Sequence, residues 1–524
     1  MTTSTEKGDI NGKIGDVNDG YVNDEYGTFN DENVAVNDKS GNVKGENSDV
    51  RETNSRFSFQ IDTDFIPAKL CYFLVNMRQS SYLPVLNVFL TDIGLTTAEA
   101  GVITGTRLVG QLVGAPFFGM IADKSRKYLL VLTCLVFMSN CLMLPQPWIP
   151  LWIDAKCVAN GTASSNSSIP NNSPSISPVC VKKDNGAMFY VFLSMNLLMA
   201  FFDGYLNPFV DAAVMEQIKQ SSKNVDYGRQ RVFGALGFSC GAFVTSLVAK
   251  LFSSQSGLSP YSAAFVVYSV TTASFLVCAR FLLRKTNMHT AQDGNIQVLT
   301  IFLKTLRNCH VLFFLATVLV SGMFNGLHIS FVLVLMKDMD SPTVIMGLTI
   351  TLAAAGSIFL FNFTTRIIHV LHGLIPTMAS AAFSWAILFT IYGFSTSPYA
   401  VFGAQVLHCF CFATFISAAV QYTREISSKE VVSSMFGLYN GLYFGAGNML
   451  ANLIGGVTYQ HFGGSKMFRG TAAVAITWSL IVMGYHMISS SMQKKCDAED
   501  DMIEPDTHIA ALSIEKSWDH IRSY

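Results

Sequence analysis

Several charged side chains stand where the sequence is otherwise apolar enough for lipid, and they are the residues best equipped for chemistry. Arg78 lies in VNMRQSSYLP near Asn76, and Arg107 lies in GTRLVGQLVG with Gln111 one helical turn further on. FFDGYLNPFVDAAVMEQ carries Asp203, Asn207 and Asp211 at four-residue intervals, which predicts one shared helix face. An ionisable group at the bilayer centre costs about 2.5–3.5 kcal/mol or more, so such groups tend to pair and to mark ion or solute pathways. The expected arrangement sets Arg78 or Arg107 opposite Asp203. Burial disfavours an ionised carboxylate and a neighbouring arginine favours it, so a carboxylate held between these influences can exchange its partner for a proton. The competing reading is a static ion pair that fixes helix packing. Pro208, on the same stretch, would free a backbone carbonyl.

The second half of the chain supplies hydrogen-bonding groups without a mid-membrane acid: Asn325, His328, Gln405, His408, Asn440, Asn448 and Asn452. Coupling chemistry is therefore expected in the first half and uncharged solute contacts in the second. An intramembrane histidine is more often a satisfied packing residue than a proton relay. Gly437, Gly441 and Gly445 form a small-residue stripe suited to close helix packing. No P-loop, H-E-x-x-H, paired C-x-x-C or G-x-S-x-G motif is present. Neither an enzyme nor a metal, cofactor or nucleic-acid partner is expected.

These residues need a membrane scaffold to position them. Half of the 524 residues are hydrophobic and 14% are charged, too apolar for an ordinary soluble chain. A spanning helix needs about 20 apolar residues. Twelve stretches qualify, with cores near 68–90, 98–122, 128–145, 187–210, 231–252, 261–283, 310–335, 343–369, 374–395, 398–421, 431–458 and 467–489. The expected fold is an all-α membrane protein with twelve transmembrane helices in two six-helix bundles. Residues 65–283 form the first bundle, with an extracellular or luminal loop at 146–186, and residues 310–490 form the second. Residues 284–309 are a cytosolic linker and 491–524 a cytosolic tail. Residues 1–64, rich in Gly, Asn, Asp, Glu and Lys, are expected to be a disordered cytosolic arm with no signal peptide.

Two signals set the orientation. The long polar loop holds glycosylation sequons at Asn160 and Asn166. The short loops on the opposite side are basic, through Lys124, Arg126, Lys127, Lys219, Lys223, Arg229, Arg284 and Lys285. Both place the termini in the cytosol. Cys157 and Cys180 share the oxidising loop, and a disulfide between them would stabilise by roughly 3 kcal/mol. The halves also resemble each other: FLTDIGLTTAEAGV matches VLMKDMDSPTVIMGL, and FGALGFSCG matches FGLYNGLYFG. Such repeats point to a transporter with a midplane site between its halves.

GMIADKSRK, Gly119 to Lys127, resembles the motif between helices two and three of the major facilitator superfamily: a glycine, three residues, an aspartate, a cation, then a glycine and more cations. Here the second glycine is missing. With VDAAVMEQ, YGRQRVFGALGF and GLYNGLYFGAGNMLANLIGGVTYQHFGG, residues 65–490 are similar to the major facilitator superfamily domain-containing protein six family, in the branch of lactose permease and nucleoside-proton symporters. The resemblance implies alternating access between two bundles and a cytosolic gate built from Gly119, Asp123, Lys124, Arg126, Lys127, Arg229 and Arg231. Asp123 would face the start of helix eleven, near Val431 to Ser434. Arg126 and Lys127 would meet Asp211 or Glu216, with Arg229 and Arg231 as rival partners of Asp211. The reading is a secondary active transporter of a small polar solute, with protons as candidate coupling ions and the lipid bilayer as partner. The alternatives are a facilitative uniporter and a non-transporting receptor or scaffold. Plasma membrane is favoured over endolysosomal membrane.

Overall fold

The computed structural model describes residues 63–150, 186–221, 227–252, 259–286, 304–427 and 431–491, and within them there are helices and no strands. Helices satisfy their backbone groups internally, as lipid requires. The first half holds α1 (Ile66–Asp92), α2 (Thr97–Ser125), α3 (Tyr128–Met143), α4 (Gly186–Asp203), α5 (Leu206–Gln220), α6 (Tyr227–Phe252) and α7 (Ala263–Lys285). The second holds α8 (Cys309–Asp338), α9 (Thr343–Phe361), α10 (Thr364–Val370), α11 (Leu374–Phe394), α12 (Pro398–Gly403), α13 (Gln405–Glu425), α14 (Val432–Asn440), a π-helical turn (Gly441–Gly447) and α15 (Asn448–Phe462). A last helix, α16, runs Gly464–Ser491. Asn160, Asn166, Cys157, Cys180, the 1–62 arm and the Arg229 side chain lie outside the described residues.

Among the described residues, nine helices are long and apolar enough to cross a membrane. The expected spans outside that set are α1, α2 and α14–α15, which carry Arg78, Arg107 and four of the asparagines named above, Asn76, Asn440, Asn448 and Asn452. Large apolar side chains face outward on many helices, Leu112, Leu251 and Leu480 among them, each more than two-thirds exposed. Apolar surface on that scale belongs against lipid rather than water.

One expectation needs correcting. Asp203, Asn207 and Asp211 do not lie on one unbroken helix, because the chain turns at Gly204 and Tyr205 between α4 and α5, although Asp203 and Asp211 both face α1, through Arg78 and Tyr72. Pro208 is the physical reason: it has no N–H to give the carbonyl four residues back, which is that of Gly204, and its ring crowds that carbonyl. Asp203 therefore ends one helix and Asp211 lies on the next.

The halves meet along two related crossings. Gly101 on α2 packs against the Asn452 carbonyl and Gly456 on α15, and Gly347 on α9 packs against Ala242 and Ser246 on α6. These are the two glycines that the internal repeat aligns, so the duplicated sequence reappears as duplicated packing. The Gly437–Gly441–Gly445 stripe behaves otherwise: a Cβ at any of the three meets nothing within 4 Å. The stripe borders open space in this conformation, and close packing of the same run is made instead by Gly447 against Gly322 and by Gly455 against Phe331.

Candidate functional site

Arg78 is buried at 1% exposure and pairs with Asp203, which is 5% exposed. Arg78 Nη1 also donates to Tyr268 Oη at 3.0 Å, Tyr268 donates to Asp203 Oδ1 at 2.9 Å, and Ser139 Oγ lies 3.0 Å from the same phenol. Both charges are thus partnered by groups from α1, α3, α4 and α7. All four helices belong to the first half, so the pair sits inside that half rather than on the seam. Asn87, nine residues beyond Arg78 and half a turn round α1, is the residue that reaches the seam. It accepts from Thr104 at 2.5 Å and donates toward Ser330 O at 3.2 Å and Asn452 Oδ1 at 3.3 Å.

Arg107 is buried too, at 4% exposure, but has a different setting. Its guanidinium carbon lies 4.7 Å from the centroid of the Tyr82 ring, and its Nε has no hydrogen-bond partner among the described residues. The Tyr82 hydroxyl is committed to Asn196 Oδ1, and Asn196 Nδ2 donates to Gln146 Oε1 at 3.2 Å. Gln111 is half-buried on α2, its backbone close to Gly204. Asn76 is half-buried within α1 and donates back to the carbonyl of Tyr72, one turn earlier, at 2.9 Å. Asn207 is half-buried on α5; Asp211 accepts from Tyr72 Oη at 2.7 Å and lies 3.9 Å from Arg231.

In the second half His328 and His408 are brought together, their rings stacked 4.1 Å apart. Tyr392 Oη lies 3.2 Å from His328 Nδ1 and accepts from Gln405 Nε2 at 2.8 Å, with Trp385 packed against both imidazoles. Asn325 is buried on α8. Asn440 and Asn448 donate to the carbonyls of Phe436 and Phe444, at 2.9 and 3.0 Å.

The two ends of the seam are unlike. At one end Lys337 at the close of α8 pairs with Asp92 at the close of α1, 2.9 Å apart, and Thr97 Oγ1 donates to Gly456 O at 3.1 Å. At the other end Asp123 accepts from Tyr128 Oη at 3.0 Å, within its own half, and Lys124, Arg126 and Lys127 are exposed. No ion pair among the described residues joins Arg126 or Lys127 to Asp211 or Glu216, and among them Arg231 is a cation near Asp211. Gly119 lies against the Tyr205 ring. Arg126 closes α2 in the left-handed region, with φ 53°, a conformation that glycine adopts freely. Arg126→Gly is accordingly expected to stabilise by about 1 kcal/mol, read as a rise in thermal midpoint in detergent.

Sequence reasoning missed Tyr82, Tyr268, Ser139 and Asn196, whose polar tips complete the buried network, and the Asp92–Lys337 pair. The signal was available: each is a polar group in an apolar run, and Asp92 and Lys337 sit in the two copies of the repeat.

The fold and the buried charges define a multi-pass integral membrane protein of the transporter class. The family described as MFS_1 like family matches residues 65–470, and the chain belongs to it, within the major facilitator superfamily. A Danio rerio protein named Major facilitator superfamily domain-containing protein 6-like is 22% identical over 472 residues, covering 79% of this chain and 86% of its own. The Bacillus subtilis uncharacterized transporter YwbF is 20% identical over 411 residues, covering 77% of this chain and 89% of its own. Among solved structures, the nucleoside transporter NupG superposes with a TM-score of 0.61 at 11% identity, over 81% of this chain and 99% of that one. The tetrameric PepTSo2 structure gives 0.56 at 12% identity, over 82% and 98%. At such identities these two likenesses show the fold alone.

Proposed function

We propose that this protein is a secondary active transporter that moves a small polar solute by alternating access, built from twelve transmembrane helices in two six-helix bundles with both termini in the cytosol. The uneven seam is the observation that carries this reading. Ion pair, hydrogen bonds and glycine crossings close the Asp92 end, while the Gly437–Gly445 stripe borders open space toward the Asp123 end. With the basic Asp123 end in the cytosol, the conformation is inward-open. The plasma membrane is the proposed location, with Asn160 and Asn166 glycosylated and Cys157 joined to Cys180 on its outer face.

Asp203 is the proposed proton-linked group and Arg78 its counter-ion. A facilitative uniporter is the second reading, and one observation favours it: the Arg78–Asp203 pair is enclosed by Tyr268 and Ser139 inside one bundle, as a purely structural pair would be. Proteoliposomes loaded with a pH-sensitive dye separate the two. Sugars, nucleosides, peptides, amines and organic acids are added in turn under an inward proton gradient. The proposal expects luminal acidification with at least one class, abolished in Asp203→Asn. Solute uptake without proton movement, unchanged in that variant, would establish the uniporter; no movement of any class would contradict transport altogether.

A further inference from the structure

We propose that Arg107 anchors the transported solute and that this solute carries a carboxylate, an inference that rests on the transporter reading above. Among the described residues the buried Asp, Glu, Lys and Arg side chains are Arg78, Arg107 and Asp203. Asp203 is held by Arg78 and Tyr268, which leaves the buried charges described in the first half with one positive charge in excess. That charge is the guanidinium of Arg107. It faces the Tyr82 ring at 4.7 Å and forms no ion pair with a described residue.

An aromatic face attracts a cation weakly and leaves the N–H groups of the guanidinium unspent. A buried arginine is otherwise costly and is found paired, so an interior that keeps one unneutralised is suited to an anion that comes and goes. The planar fork of the guanidinium matches a carboxylate in two parallel hydrogen bonds. The excess of a single charge favours a monoanionic group over a phosphate, which carries about 1.5–2 charges near neutral pH. Tyr82 would fix the arginine rather than bind the solute, since its hydroxyl is already given to Asn196. Gln111, one turn along α2, places a half-buried amide on the same side of that helix as Arg107.

The test uses the full chain in nanodiscs and isosteric acid–amide pairs: succinate with succinamide, glutamate with glutamine, lactate with lactamide. At least one acid is expected to raise the thermal midpoint while its amide does not. In Arg107→Gln the Kd of that acid should rise roughly 10–150-fold, the range for one lost hydrogen-bonded charge pair. Arg107→Lys, which keeps the charge but not the fork, should retain part of the binding and guards against a misfolded glutamine variant. Amides that stabilise as well as their acids, or an unchanged Kd in a folded Arg107→Gln protein, would overturn the inference. A neutral solute that binds wild type and Arg107→Gln equally would do so while leaving transport standing, whereas the absence of binding and of flux for every class would remove both.

Discussion

Asp203→Ala is expected to destabilise the protein by about 3–5 kcal/mol, the cost of leaving a buried charge without its counter-ion. The stranded group is Arg78, 1% exposed, whose Nε already lacks a partner and whose remaining acceptor is the Tyr268 phenol. The same reasoning predicts rescue. In Arg78→Met/Asp203→Leu neither charge is buried, and apolar groups of similar volume replace a desolvated pair at little net cost. The double variant should therefore recover most of the thermal midpoint in detergent, and single and double variants together form a cycle whose coupling energy measures the pair. Additive losses would mean that the two side chains do not depend on each other for stability. The cycle also separates roles: a stable double variant that still transports, with its pH dependence intact, would make the pair a packing device.

Gly101→Val is expected to shift the conformational equilibrium rather than unfold either half. A Cβ at Gly101 would overlap the Asn452 carbonyl across the seam, and backbone at that crossing has no rotamer with which to yield. Overpacking of this kind costs roughly 1–3 kcal/mol. Because the overlap exists only while the Asp92 end is closed, the cost falls on that conformer alone, changing its population relative to the alternative by roughly 5–150-fold. The Asp92 end should open, measured as faster thiol labelling of a reporter cysteine at Thr97. Gly119→Ala is the matched control in the same helix: its Cβ meets only the Tyr205 ring, at 3.6 Å, and labelling should not change. Loss of folded protein in Gly101→Val, with no gain in labelling, would show that the crossing serves stability alone.

Much of the scaffold was legible because lipid simplifies the code. Every interval of apolar sequence proposed as a span contains helix, and the repeat glycines Gly101 and Gly347 mark equivalent crossings. Arg78, Arg107 and Asp203 were visible as charges that an apolar run cannot carry idly. The choice of Arg78 as partner was not legible, since it depends on which way α1 and α2 face, and helix rotation leaves little trace when nearly all faces are apolar. The helix break at Gly204 was readable in principle from Pro208. The glycine stripe misled because small residues suit close packing and an open wall equally, and only the partner surface decides between them. His328 and His408 lie far apart in sequence, and no local pattern announces that their rings stack.

The central claim is that the two ends of the seam open in turn, and it can be tested without knowing the solute. Spin labels at Ile93 and Asp340 span the Asp92 end, and labels at Lys124 and Ser434 span the Asp123 end, each pair crossing between the halves. Distances measured by pulsed electron resonance in nanodiscs are predicted to show two populations at each end, and Gly101→Val should lengthen the first pair while shortening the second. A single distance at both ends, unmoved by that substitution, would contradict alternating access and leave a static membrane protein with a transporter's fold.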